Sequence, residues 1–223
     1  MTDEDPIAAA ESEAEGVSTP PTPVGYSDPY QFEYPKLVLV VGSTILGIIS
    51  IVVYGLLLLQ LQGPEALFFV FEIETSEGVG TGFDLVGLAI PLVVAFLTVT
   101  VVHELLHGVV FQRYGYDVNY GVYWRFGAVY AAVFHQFHTR EHNLWVGIAP
   151  LAIITVVCLP LLAVPNSLIA TSALFALALN TGGSMGDIYA LWRFYRMPQG
   201  TVFYDINIAH MYVFEPERAA EGA

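Results

Sequence analysis

Three stretches of this chain carry no charged side chain: residues 37–59, 85–102 and 143–186, of 23, 18 and 44 residues. A helix rises about 1.5 Å per residue, so 23 residues reach about 34 Å and cross a hydrocarbon core of about 30 Å. The longest run exceeds one crossing and suits two, with Pro165, Asn166 and Ser167 supplying the turn between them. The expected fold class is an all-α integral membrane protein with four transmembrane helices, roughly 37–60, 85–111, 144–164 and 168–192. Composition agrees. Only 13% of the residues are charged and the mean hydropathy is +0.60, whereas soluble domains carry about 25% charged residues.

The flanks differ in kind. Residues 1–35 hold eight acids, no base and six prolines without apolar periodicity, which reads as a disordered acidic N-terminal tail over 1–36. The domain expected to span the membrane is 37–200, followed by a C-terminal tail over 201–223. Arg113, Arg125 and Arg140 lie between the second and third spans, and Arg193 and Arg196 follow the fourth. The segment between the first two spans carries only acids: Glu65, Glu72, Glu74, Glu77 and Asp84. The positive-inside rule then puts both termini and the 112–143 segment in the cytoplasm of a cell-membrane protein. Within that segment Val118, Tyr120, Val122, Trp124 and Phe126 alternate with Asn119, Gly121, Tyr123 and Arg125. Such alternation predicts a half-buried strand. Gly127 permits a turn, so residues 116–138 are expected to form a β-hairpin at the cytoplasmic surface between helices 2 and 3.

Charge and cysteine usage narrow the function. Seven basic residues against 21 acidic ones give a net charge of −14, which argues against a nucleic-acid partner. The acid-rich, lysine-poor composition, with Lys36 alone of its type, resembles that of proteins from salt-loving archaea and reads as solubility chemistry. Cys158 is the single cysteine, which excludes an intrachain disulfide and a cysteine-based metal site.

Chemistry enters at the end of the second span, with His103-Glu104-Leu105-Leu106-His107. Positions i and i+4 share a helix face one turn apart, so both imidazoles can reach one metal ion. Glu104 beside them can act as general base toward a water. Zinc is the default ion because it accepts imidazole and carboxylate in a redox-silent site. A third ligand is needed. A third histidine ten residues after the first is missing, since Arg113 stands there, and the next glutamate after Glu104 is Glu141. The candidate is Asp187 in the fourth span. It precedes Arg193 by six residues, as His107 precedes Arg113, so the two lie at similar depth if both helices run the same way. Asn180 shares a face with Asp187 and could orient substrate or stabilise an oxyanion. His135, His138 and His142 are spaced for a second cluster but read as solvated or interfacial, and His210 has no partner spacing.

HELLH at 103–107 on one membrane helix, with an Asn…Gly-Asp segment at 180–187 on a later one, resembles the zincin membrane peptidase family. More distantly it is similar to the site-2 protease class of intramembrane metalloproteases, in which the glycine follows the aspartate, whereas here Gly186 precedes Asp187. The resemblance covers about residues 37–200. It implies a zinc-dependent, membrane-embedded metallopeptidase acting on protein or peptide substrates in or at the bilayer. It also implies that strands near the site present substrate in extended form. Two rivals remain from the residues alone. One is a non-catalytic metal-binding scaffold or adaptor. The other is an ion transporter, which is disfavoured because the first span offers only Ser43, Thr44 and Ser50 as small polar residues over 37–59 and the outer half of the second offers no ionisable ones. Oligomeric state is left open by the sequence.

Overall fold

The computed structural model describes residues 20–75, 78–123 and 128–217. It is mostly helical, with small sheets. Strand β1 (Tyr30–Phe32) leads to helix α1 (Lys36–Gln62), strands β2 (Val70–Thr75) and β3 (Gly78–Phe83), and helix α2 (Leu85–Arg113). Strands β4 (Asn119–Tyr123), β5 (Ala128–Ala132) and β6 (Phe137–Thr139) follow. Helices α3 (Arg140–Cys158), α4 (Ser167–Gly183) and α5 (Met185–Arg196) precede the last two strands, β7 (Val202–Asn207) and β8 (His210–Phe214).

The chain divides into two compact units. Among the described residues, one comprises those within Pro35–His107 and Gly147–Tyr189; the other comprises those up to Tyr34, those within Gly108–Val146 and those from Ala190 onward. The first unit holds α1 and most of α2 and α3; these three helices, the last continued by a short 3₁₀ turn to Ala163, are each long and apolar enough to cross a membrane. Helices α4 and α5 qualify as a fourth span only when taken together, and they are bent by 42° at their junction. Where one helix was expected over 168–192 there are therefore two, with the geometry of a broken span or of a re-entrant pair. Gly182, Gly183, Ser184 and Gly186 are poor helix formers clustered at the junction. Ser184 turns its hydroxyl to the Asn180 carbonyl at 2.8 Å, which absorbs one of the acceptors left at the end of α4.

Helix α4 is central in this unit. Nine of its residues are buried, including Ala170, Leu174, Leu177 and Asn180, so it is covered on several sides rather than along one stripe. Leu58 and Tyr54 of α1 pack against Ala170, Leu174 and Leu177. Ala95 and Val99 of α2 pack against Ala176. Small residues allow the closest approach: a Cβ built on Gly182 would lie 3.2 Å from both the Gly47 Cα and the Ser43 carbonyl oxygen of α1. Between helices without a water-driven hydrophobic force, such backbone proximity is a main source of association. At the other end of α4, Asn166 caps the helix by accepting from the Ile169 N–H at 3.1 Å. Thr171 ties the chain after α1 to it, donating to the Ala66 carbonyl and accepting from the Phe68 N–H. The outer face of α1 is apolar and open, with Leu37, Val40, Ile48 and Leu56 all exposed. A surface of that kind fits a lipid surround.

The second unit contains more strand than the all-α expectation allowed. Strands β1, β8, β7 and β6 form one antiparallel sheet in that order. The segments expected as tails thus contribute three of its strands. Residues 1–19 of the acidic tail and 218–223 of the C-terminal one lie outside the described residues. The hairpin expected over 116–138 is present in part. Strands β4 and β5 pair antiparallel from Asn119↔Ala132 to Tyr123↔Ala128, while its expected turn at Gly127 lies outside the described residues and β6 joins the other sheet. A further antiparallel pair, β2 with β3, lies between the first two spans, where no strand was expected. Phe32, Phe194, Phe203, Val213 and Phe214 are buried in the second unit. Arg140 is buried there as well, its guanidinium donating to the Phe194 and Tyr195 carbonyls at 2.7 and 2.8 Å. It closes the C-terminal end of α5, where cations are favoured.

The Gly182 contact yields a test. Replacing Gly182 with Leu forces α1 and α4 apart and should lower stability by about 1–3 kcal/mol, read as a lower unfolding midpoint in detergent. An unchanged midpoint would mean that the close approach carries no weight.

Candidate metal centre

His103 and His107 lie one turn apart on α2, and Asp187 lies in the first turn of α5. An acidic residue in a first helical turn is favoured by the helix dipole, and the break at Ser184 is what makes Asp187 a first-turn residue. Asp187 receives both imidazoles: its Oδ2 is 3.1 Å from His103 Nε2 and its Oδ1 is 3.4 Å from His107 Nε2. The two rings lie 4.9 Å apart, nearly perpendicular. The His103, His107 and Asp187 side chains are 12%, 11% and 24% exposed. The depth match read from the arginine spacings therefore corresponds to a contact.

The chemistry of this cluster suits a cation. A carboxylate only accepts hydrogen bonds, and a neutral imidazole has one N–H. His103 faces acceptors on both sides, Asp187 Oδ2 at Nε2 and Asn180 Oδ1 at Nδ1, the latter at 3.2 Å. One N–H cannot serve both, so the set is completed by a further proton, on the ring or the carboxyl, or by a metal ion. The ligand atoms of His103, His107 and Asp187 all lie within 4.8 Å of one another. Tetrahedral zinc with bonds of about 2.0 Å separates its ligand atoms by about 3.3 Å, close to both carboxylate–imidazole distances. Two imidazoles and one carboxylate form a donor set that zinc accepts while leaving a fourth position for water or substrate. Among the described residues this is the group of three ligating side chains with such spacing.

The other sequence candidates are distributed differently. Glu104, expected as the general base, is half-buried on α2 between the two histidines. Asn180, expected to meet substrate or an oxyanion, is fully buried, and its amide NH₂ points to the Pro150 and Leu151 carbonyls at 3.5 and 3.4 Å. It contacts His103 instead. His135, His138 and His142 do not converge. His138, expected to be solvated or interfacial, is buried in β6, where its Nδ1 accepts from the Asn143 amide at 2.6 Å and its Nε2 sits 3.4 Å from Asp205. His142 bonds the Tyr116 hydroxyl at 2.7 Å, and His210 bonds Asn207 at 2.8 Å. Sequence reasoning missed the partnership of Asn180 with His103. The available signal was the seven-residue spacing to Asp187, which puts both on the side facing one histidine.

Residues 96–202 match the model of a protein family described as "Putative zincin peptidase". Over those residues the chain is similar to that family, and the match takes in the HELLH element, Asn180 and Asp187. The expected family resemblance is thereby borne out, and zinc is the metal that a zincin family implies. The search of curated proteins and that of solved structures returned no match, and nothing in these comparisons extends to the site-2 class or to a salt-loving source.

Removing the carboxylate should empty the centre. Asp187→Ala protein equilibrated with zinc and desalted should retain well under a tenth of the metal carried by the parent, whereas His210→Ala should retain it all. Elemental analysis of the two side by side checks this, and equal metal in both would exclude Asp187 as a ligand.

Proposed function

We propose that this protein is a zinc-dependent, membrane-embedded metallopeptidase that hydrolyses peptide bonds of membrane or membrane-associated proteins. The observation that carries the proposal is the convergence of His103, His107 and Asp187 from two apolar helices onto one point. The family match over 96–202 supports it. In this reading His103, His107 and Asp187 hold the zinc. When bound there, zinc supplies Lewis-acid polarisation of the scissile carbonyl and draws the pKa of water down toward about 7.

The chain's own residues do the rest. Glu104, one residue from His103 on the same helix, takes a proton from the attacking water and passes it to the leaving amine nitrogen. The apolar surroundings of α2 and α4 keep bulk water from competing and strengthen each charge interaction. His103 lies ten residues before Arg113, about 15 Å along a helix, a depth that water can reach from one surface. The positive-inside reading makes that surface the cytoplasmic one, with both termini on the same side. A substrate segment entering such a site must be extended before its peptide bond is accessible.

Glu104→Gln separates this function from a metal-binding scaffold. The variant should bind zinc as the parent does yet cleave a membrane-protein substrate at least 100-fold more slowly, in keeping with the 10²–10⁴-fold that a general base contributes. Equal cleavage by parent and variant would reject the mechanism, and absence of cleavage from both across a panel of substrates would favour the scaffold.

A further inference from the structure

We infer that Asn180 is a positioning residue for the metal centre: its amide oxygen holds the proton of His103 on Nδ1 and so reserves Nε2 for the cation. The inference rests on the reading of His103 as a ligand and adds a group that touches neither metal nor substrate.

The argument begins with the orientation of an amide. The two ends of an asparagine side chain are told apart by what they meet. On one side of Asn180 stand two carbonyl oxygens, those of Pro150 and Leu151. Only the NH₂ end can face them, because an oxygen there would meet two acceptors. The amide oxygen is therefore turned to His103 Nδ1 at 3.2 Å. A fully buried acceptor in that position needs a donor, and the donor available is the Nδ1–H. Nε2 then presents its lone pair toward Asp187 and the point where the ligand atoms converge.

Two further features hold the device rigid. Ser184 Oγ and Ser184 N–H both bond the Asn180 backbone carbonyl, at 2.8 and 2.9 Å, so the residue is anchored at the helix break itself. Gly182, two residues on, lies against the α1 backbone, which fixes the rotation of this end of α4. The break thus serves both ring nitrogens of one histidine: the residue before it sets Nδ1, and the residue after it, Asp187, faces Nε2. A neutral amide also leaves Asp187 as the one carboxylate of the described group, so the bound dication keeps a net positive charge to act on a carbonyl.

Ligand-orienting partners of this kind commonly contribute 10–100-fold in metal affinity. Asn180→Leu keeps the side-chain size and removes the acceptor. Competition with a chelator should show zinc bound about 10–100-fold more weakly by this variant than by the parent; equal affinity would overturn the inference. A second measurement stands independently of the variant's folding and of zinc binding. The ¹⁵N spectrum of histidine-labelled parent protein in detergent, with His103 assigned by its absence from His103→Gln, should show Nδ1 as a protonated nitrogen with and without added zinc. A bare, pyridine-like Nδ1 would overturn the inference. Parent protein that binds no zinc but shows a protonated Nδ1 would sink the proposed function and the positioning role with it, leaving only the Asn180–His103 hydrogen bond in place.

Discussion

One imidazole carries the architecture of this site. His103 is gripped at both nitrogens by acceptors on either side of a single helix break, Asn180 at the end of α4 and Asp187 at the start of α5. Buried acceptors facing a ring with one proton are costly unless a further proton or a cation completes the set. The rest of the first unit makes that arrangement possible. The glycine contact of α4 with α1, the Asn166 cap and the Thr171 ties fix α4 along its length. The bend of 42° then directs the next helix so that its first turn delivers a carboxylate to the same ring.

The apolar composition is a consequence of location, not of chemistry. Side chains along α1 that would be untenable in water are open on its outer face, while polar groups near the centre are turned inward and paired. In lipid no solvent is available to satisfy a stray amide or carboxylate, so each polar residue within these helices needs a local partner. Asn180 illustrates this: both ends of its amide and its backbone carbonyl are engaged. The same condition explains why a few polar residues in such a chain are informative about function.

The parts legible in the sequence were those governed by long-range patterns. Uncharged runs located the helices, and the i, i+4 histidines with a matching distance to arginine located the side chains that cluster, because depth along a helix is proportional to residue count. The break in the helix expected over 168–192 was less legible. Gly182, Gly183, Ser184 and Gly186 mark a weak point, but tertiary contacts decide whether such a helix bends. The terminal strands were missed for another reason. Tyr30–Phe32 is three residues long, too short for alternation to register, and it pairs with Val213, Tyr212 and Met211 from the far end of the chain. Strands β7 and β8 did carry a signal, two aromatic-rich runs separated by two residues at 208–209, which an emphasis on the membrane segments passed over. His138 was misread because its burial depends on β7, whose Phe203 it faces in register.

The central claim is that two imidazoles and one carboxylate converge on a single zinc ion. X-ray absorption at the zinc edge of the purified, zinc-loaded protein tests it most directly. The account predicts about one zinc per chain with only nitrogen and oxygen neighbours at about 2.0–2.1 Å, two of them giving the outer-shell scattering of imidazole. A spectrum with one imidazole or none, or with the six oxygen neighbours of a hydrated surface ion, would contradict it.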